Sequence, residues 1–169
     1  LRRLLSHTAG TTTPGFPGYA PSATLPTLPQ VLSGLAPCNT DAVMIDSKPG
    51  TIFRYSGGGT TIVQMLVEDV TGRAYSDLMR DLVLAPLEMS ASSFHQPLGN
   101  RDIDVAACGH DVSGQMLHDG MNVYPELAAA GLWTNVHDLV RFVIAIQRTL
   151  SGLEAPIISR EMAEVMITA

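Results

Sequence analysis

The residues most able to do chemistry lie between Pro49 and Gly72. The run Pro-Gly-Thr-Ile-Phe-Arg-Tyr-Ser-Gly-Gly-Gly sets Tyr55 just before three glycines, and an apolar, helix-spaced segment follows. A tyrosine at such a helix start can be held at the edge of a cleft. Phenolate is a competent general base, but a phenol ordinarily titrates near ~10. A nearby cation or a helix N-terminus must lower that value for work near neutral pH. Taken alone, the run is equally a turn, a short extended piece, a glycine hinge and a helix start.

Other chemistries fail on their spacing. No Gly-x-Ser-x-Gly elbow, Walker loop or His-Glu-x-x-His occurs, and Ile62 stands where a dinucleotide loop needs its last glycine. The five histidines (7, 95, 110, 118 and 137) are scattered, which suits surface or structural roles better than a metal site. No metal and no cofactor are expected. Cys38 and Cys108 form no Cys-x-x-Cys pair and read as unpaired small apolar residues of a core, with a single disulfide as the alternative.

Composition narrows the class further. The net charge is −6, and Leu1-Arg2-Arg3-Leu4-Leu5 is the only basic cluster, so nucleic acid is an unsuitable partner. No apolar run approaches the ~20 residues of a membrane span. Hydrophobic residues make up 46% and charged residues 15% of the 169, which describes a core-rich globular chain. A mean hydropathy of +0.19 also suggests a surface that something else normally covers.

The elements that would position Tyr55 follow from periodicity. Residues 1–5 read as a helix end and 11–29, with five prolines, as loop. A short helix is expected over 28–35. After the glycines, Ile62, Met65, Leu66 and Val70 share a helical face that Gly72 ends. Tyr75, Leu78, Met79, Leu82 and Val83 form the next face, closed by Pro86. A small hairpin is expected over 105–118, turning at Asp111-Val112-Ser113-Gly114. Leu139, Phe142, Val143 and Ile146 predict an amphipathic helix, with Asn135 and Asp138 resembling a capping box. Ser159 would cap a last helix carrying Met162, Val165 and Met166. The methionines, mainly at apolar helical positions, read as core packing.

Read as one ordered string, these blocks carry a resemblance. Leu4-Leu5-Ser6-His7-Thr8-Ala9-Gly10, Pro49 to Gly72, Leu84-Ala85-Pro86-Leu87-Glu88-Met89, Ala129-Ala130-Gly131-Leu132-Trp133 and Asp138 to Phe142 follow one another. The string resembles the class C β-lactamase-like serine hydrolases, which include penicillin-binding D-alanyl-D-alanine peptidases and esterases. The resemblance implies a helical domain beside an α/β sheet domain. This chain would be the mainly α part, with a small β-hairpin and the sheet domain largely missing. Its segments would be a loop-rich opening (1–50), the tyrosine motif with two helices (51–90), the hairpin (105–118) and C-terminal helices (135–169).

The implied mechanism is acyl transfer through a serine ester on a small-molecule acyl substrate. Tyr55 takes the place of the family's catalytic tyrosine, and Ser56 and Gly57 complete its motif as substrate-binding positions. Three departures matter. Lys48 is the only lysine and Ile45 lies three residues before it, so no Ser-x-x-Lys exists here. Gly57 stands where the family often has Asn, which moves the expected substrate from a β-lactam or D-Ala peptide toward an ester or other acyl compound. His118-Asp119-Gly120 matches His-x-Gly but precedes the Ala-Gly-Leu-Trp block, so it reads as a hairpin end. The chain is thus expected to be a central segment of a longer hydrolase, inactive alone, that self-associates through exposed apolar faces. A periplasmic or secreted parent would suit the family. A non-catalytic binding relative and an unrelated all-α interaction module are the alternatives.

Overall fold

In the computed structural model, residues 1–117, 119–153 and 157–168 are described. Helices dominate: α1 (Arg2–Leu5), α2 (Leu28–Ser33), α3 (Gly57–Thr71), α4 (Tyr75–Met79), α5 (Asn100–Ile103), α6 (Leu127–Ala130), α7 (Val136–Leu150) and α8 (Arg160–Ile167). Among the described residues there are no strands, only isolated antiparallel bridges such as Thr11 with Ile45 and Tyr19 with Val123. Another bridge pairs His110 with Met116 around a turn in which the Asp111 carboxylate accepts from the Ser113 and Gln115 amides. The chain forms two compact units, Leu1–Tyr75 with His95–Gly131, and Ser76–Phe94 with Leu132–Ala169.

The first unit is arranged about α3, against which α1, α2 and α6 pack. Gly72 ends α3 in the left-handed conformation, as its position in the sequence requires. Its inward face is not the apolar stripe the periodicity picks out. Gly57, Gly58, Gly59, Thr61 and Gln64 are buried, while Leu66 and Val70 lie exposed. The bare glycine turn explains this: a Cβ on Gly58 would come within 2.8 Å of the Val43 side chain. Gln64 then bridges the loop before α6, donating to the Pro125 carbonyl (3.2 Å) and accepting from the Ala128 amide (3.0 Å).

In the second unit Leu84, Leu87, Met89 and Ala145 form a buried cluster with Phe142 and Ile157 against it. Burial of each large side chain contributes roughly 1.5–3 kcal/mol. The single helix expected from Tyr75 to Pro86 is α-helical only to Met79. A π-turn follows over Arg80–Leu84, closed by the Ala85 amide on the Arg80 carbonyl (2.8 Å).

On α7 the buried stripe is Asp138, Ala145 and Thr149 with Phe142 half-buried, whereas Leu139 and Val143 of the expected face are exposed. Asp138 accounts for the rotation. Asn135 caps its amide at 2.9 Å, but the Asp138 carboxylate does not return to the cap. It accepts from the Ala91 amide (2.9 Å) and the Ser92 hydroxyl (2.8 Å). Ser159 caps α8 as expected.

Two further readings are corrected. Only Met89 and Met121 among the methionines are buried, neither on a helix, while Met162 and Met166 are exposed. Both cysteines are free, but Cys108 is exposed and so no part of a core. Val136, Leu139, Val140 and Ile144 of α7 are exposed too. Apolar surface of this kind promotes association. Light scattering on the purified 169-residue chain should therefore give a mass above that of the monomer. A monodisperse monomer that binds no apolar dye would contradict this.

Candidate active site

The tyrosine motif lies wholly in the first unit and is built around the N-terminus of α3. Ser56 is the N-cap, with extended backbone (φ −148°, ψ 112°). Its hydroxyl accepts from the Gly59 amide (2.9 Å) and donates to the Thr12 carbonyl. Ser56 is 0% exposed, so both its hydrogen-bonding directions are used inside the fold. Gly57 is buried as well. Its amide donates to the Pro14 carbonyl (3.1 Å), and a Cβ there would lie 3.1 Å from the Phe16 ring. Any side chain at position 57 would press on Phe16 and on the Pro14 carbonyl, which would have to give by a few tenths of an ångström.

Tyr55, by contrast, is 59% exposed. Just before it in the chain, the Arg54 side chain forms a clasp with Asp46. Arg54 forks onto the Asp46 carboxylate, with Nη1 to Oδ2 at 2.9 Å, and also donates to the Ser47 hydroxyl (2.9 Å). The Arg54 guanidinium, then the Ser47 hydroxyl, hold the Asp46 carboxyl down at about 2. Arg54 is therefore committed to Asp46, and its charge is largely neutralised before it can act on Tyr55.

Tyr19 and Tyr75 are poor candidates for a base. Burial pushes the Tyr19 phenol up to about 12, against the lowering effect of the Asn39 amide that donates to its oxygen (3.1 Å). Burial raises Tyr75 as well. Both shifts disfavour the phenolate.

His7, which the sequence assigns only a surface or structural role, meets the tyrosine motif directly. It sits directly after α1, and its ring lies against Tyr55 with centroids 4.6 Å apart and planes tilted by 42°. Its Nδ1 accepts from the Ser56 amide at 3.2 Å. The only sequence signal for this contact is the presence of His7 in the Ser6-His7-Thr8 block that precedes the tyrosine motif. Among the described residues no three His, Cys, Asp or Glu side chains converge as metal ligands, and no helix is long and apolar enough to cross a membrane. His118 of the His-x-Gly triplet lies outside the described residues.

A groove of about 930 Å³ runs between 12–15 and 38–42, next to the carbonyls that receive the first α3 amides. Tyr55 is not among its lining residues.

The fold of the chain has counterparts among known proteins. The Beta-lactamase family model matches residues 1–166. The chain belongs to the Beta-lactamase family. Solved structures share its fold. One is the octameric penicillin-binding protein homologue from Pyrococcus abyssi, with a TM-score of 0.65 at 24% identity over 99% of this chain and 38% of that one. Another is the D-amino acid amidase from Ochrobactrum anthropi SV3, with a TM-score of 0.69 at 23% identity over 96% and 44%. A third is the β-lactamase/D-alanine carboxypeptidase from Pseudomonas syringae, at 0.63 and 20% identity over 92% and 40%. No curated protein matches the chain.

This Beta-lactamase family chain therefore spans less than half the length of each of those structures. It is the mainly helical part of the β-lactamase and penicillin-binding-protein fold, as its string of blocks implied.

Proposed function

We propose that this chain supplies the tyrosine of an acyl-transferring serine hydrolase, with Tyr55 as general base. The observation that carries the reading is the contrast within one motif: Tyr55 is open to solvent at the N-terminus of α3 while Ser56 and Gly57 are locked beneath it. The nucleophilic serine and its lysine belong to a Ser-x-x-Lys motif outside these 169 residues. As that serine attacks the acyl carbon, the phenolate takes its proton and later returns it to the leaving group. The cation partner of Tyr55 in proton transfer is that lysine, since Arg54 is spent on Asp46.

Ser56 and Gly57 serve substrate binding by shaping the turn, not by side-chain contact. The substrate is a small acyl compound: a β-lactam, a D-Ala peptide or an ester. With no amide side chain at Gly57 to hold a substrate amide, the ester is favoured.

The isolated chain should then be inert. Incubation with a chromogenic β-lactam and with a nitrophenyl ester should give no burst and no turnover beyond a Tyr55→Phe control. Acylation above that control would overturn the placement of the nucleophile outside the chain.

A further inference from the structure

His7 occupies a backbone conformation that its side chain must justify. Its φ is +55°, in the left-handed region where glycine or asparagine normally follows a helix. A non-glycine residue is uncommon there, although histidine is among the side chains that enter the region more readily. A strained residue of this kind persists where the surroundings fix it, and such residues cluster at functional sites.

Three contacts fix His7, and all lead to the Tyr55 motif. The His7 carbonyl accepts from the Arg54 amide (2.8 Å). The imidazole Nδ1 accepts from the Ser56 amide (3.2 Å). The ring covers one side of Tyr55, and the Phe53 ring meets it edge-on at a centroid distance of 6.0 Å. The backbone on either side of Tyr55 is thus pinned by one residue, and the rotation of the phenol is limited by the same ring. Nδ1 can accept from an amide only with its lone pair free, so the proton of the neutral ring sits on Nε2.

We propose that His7 is the positioning residue of Tyr55: a neutral, Nε2-protonated imidazole that fixes the phenol by ring contact and by its bond to the Ser56 amide. The catalytic consequence rests on Tyr55 being the base. The geometry does not, and the two are separable by experiment.

In the 169-residue chain, long-range proton–nitrogen correlation spectra should show His7 with an unprotonated Nδ1. The Tyr55 ring protons should carry a ring-current shift that His7→Ala removes. A proton on Nδ1, or Tyr55 resonances unmoved by His7→Ala, would overturn the proposal.

The conservative variants divide the effect. His7→Asn keeps an acceptor near the Nδ1 position and tolerates a positive φ. His7→Phe keeps a ring but offers no acceptor. In a full-length hydrolase carrying this segment, His7→Ala should lower kcat by about tenfold to a hundredfold, the scale of a small misplacement of a catalytic group. KM should hold within about threefold, because uniform substrate binding is untouched. His7→Asn should recover part of the lost kcat, and His7→Phe less. If Tyr55→Phe leaves turnover intact, the general-base reading fails and the spectra alone judge the positioning. If Tyr55→Phe abolishes turnover while His7→Ala leaves kcat unchanged, the positioning proposal fails and the base stands.

Discussion

Gly10→Ala is expected to destabilise the first unit by about 2–5 kcal/mol, combining a left-handed backbone penalty with overpacking. Gly10 has φ +75°, and a Cβ on it would fall 2.2 Å from the Ser47 carbonyl oxygen and 3.0 Å from its carbon. These atoms are backbone and cannot rotate away. The Gly10 carbonyl also accepts from the Asp46 amide (3.2 Å) and from Arg54. Separating the 10 and 47 backbones would therefore open the Arg54–Asp46 clasp directly below Tyr55. Chemical denaturation monitored by circular dichroism measures the loss.

Two controls isolate the cause. Gly10→Asn should be no better than alanine, because asparagine tolerates the dihedral but not the collision. Gly72→Asn should be nearly neutral, because Gly72 has φ +64° with nothing within 4 Å of a built Cβ. A Gly10→Ala chain as stable as the parent would show that the 10–47 contact is loose.

Glu126 provides the second large effect, of opposite sign. It is 0% exposed, and neither carboxylate oxygen has a hydrogen-bond partner among the described residues. Burial holds its pKa above the usual carboxylate range. An acid whose folded pKa is raised favours the folded state while protonated in both states. Its contribution falls as pH rises from the unfolded value, near ~4.3, to the folded one. Above that window the group opposes folding.

Glu126→Gln should therefore match the parent at pH 4 and below. At pH 7 it should be more stable by about 1–3 kcal/mol, the range for a buried polar group without a partner. Glu126→Met, which removes the polar atoms, should be more stable at both pH values. Paired denaturation curves decide it, and a difference between Glu126→Gln and parent that is independent of pH would refute the burial of the charge.

What the sequence disclosed depended on how local each feature is. Gly72, Asn135 and Ser159 set helix ends within one turn of themselves, so these boundaries were readable. Which face of a helix turns inward is a long-range matter. Val70 and Val143 obey helical periodicity yet stay exposed, because Gln64 and Asp138 reach loops distant in the chain and set the rotation. The π-turn at Arg80–Leu84 changes one hydrogen-bond register and leaves no compositional trace. The family resemblance around Tyr55 was legible because the order of the blocks survives along the chain. The His7 contact and the Arg54–Asp46 clasp were not, since each joins segments that meet only after folding.

The three glycines that open α3 bear on what holds the turn after Tyr55 in shape. Each lacks about 1 kcal/mol of helix propensity relative to alanine, so the turn after Tyr55 does not form on local preference. Its order is borrowed: Ser56 binds the Thr12 carbonyl 44 residues away, and Gly57 and Gly58 donate to Pro14 and Thr13. Loop closure of that length comes before the reward. The turn that seats Tyr55 therefore owes its order to a segment 44 residues away and not to its own helix preference.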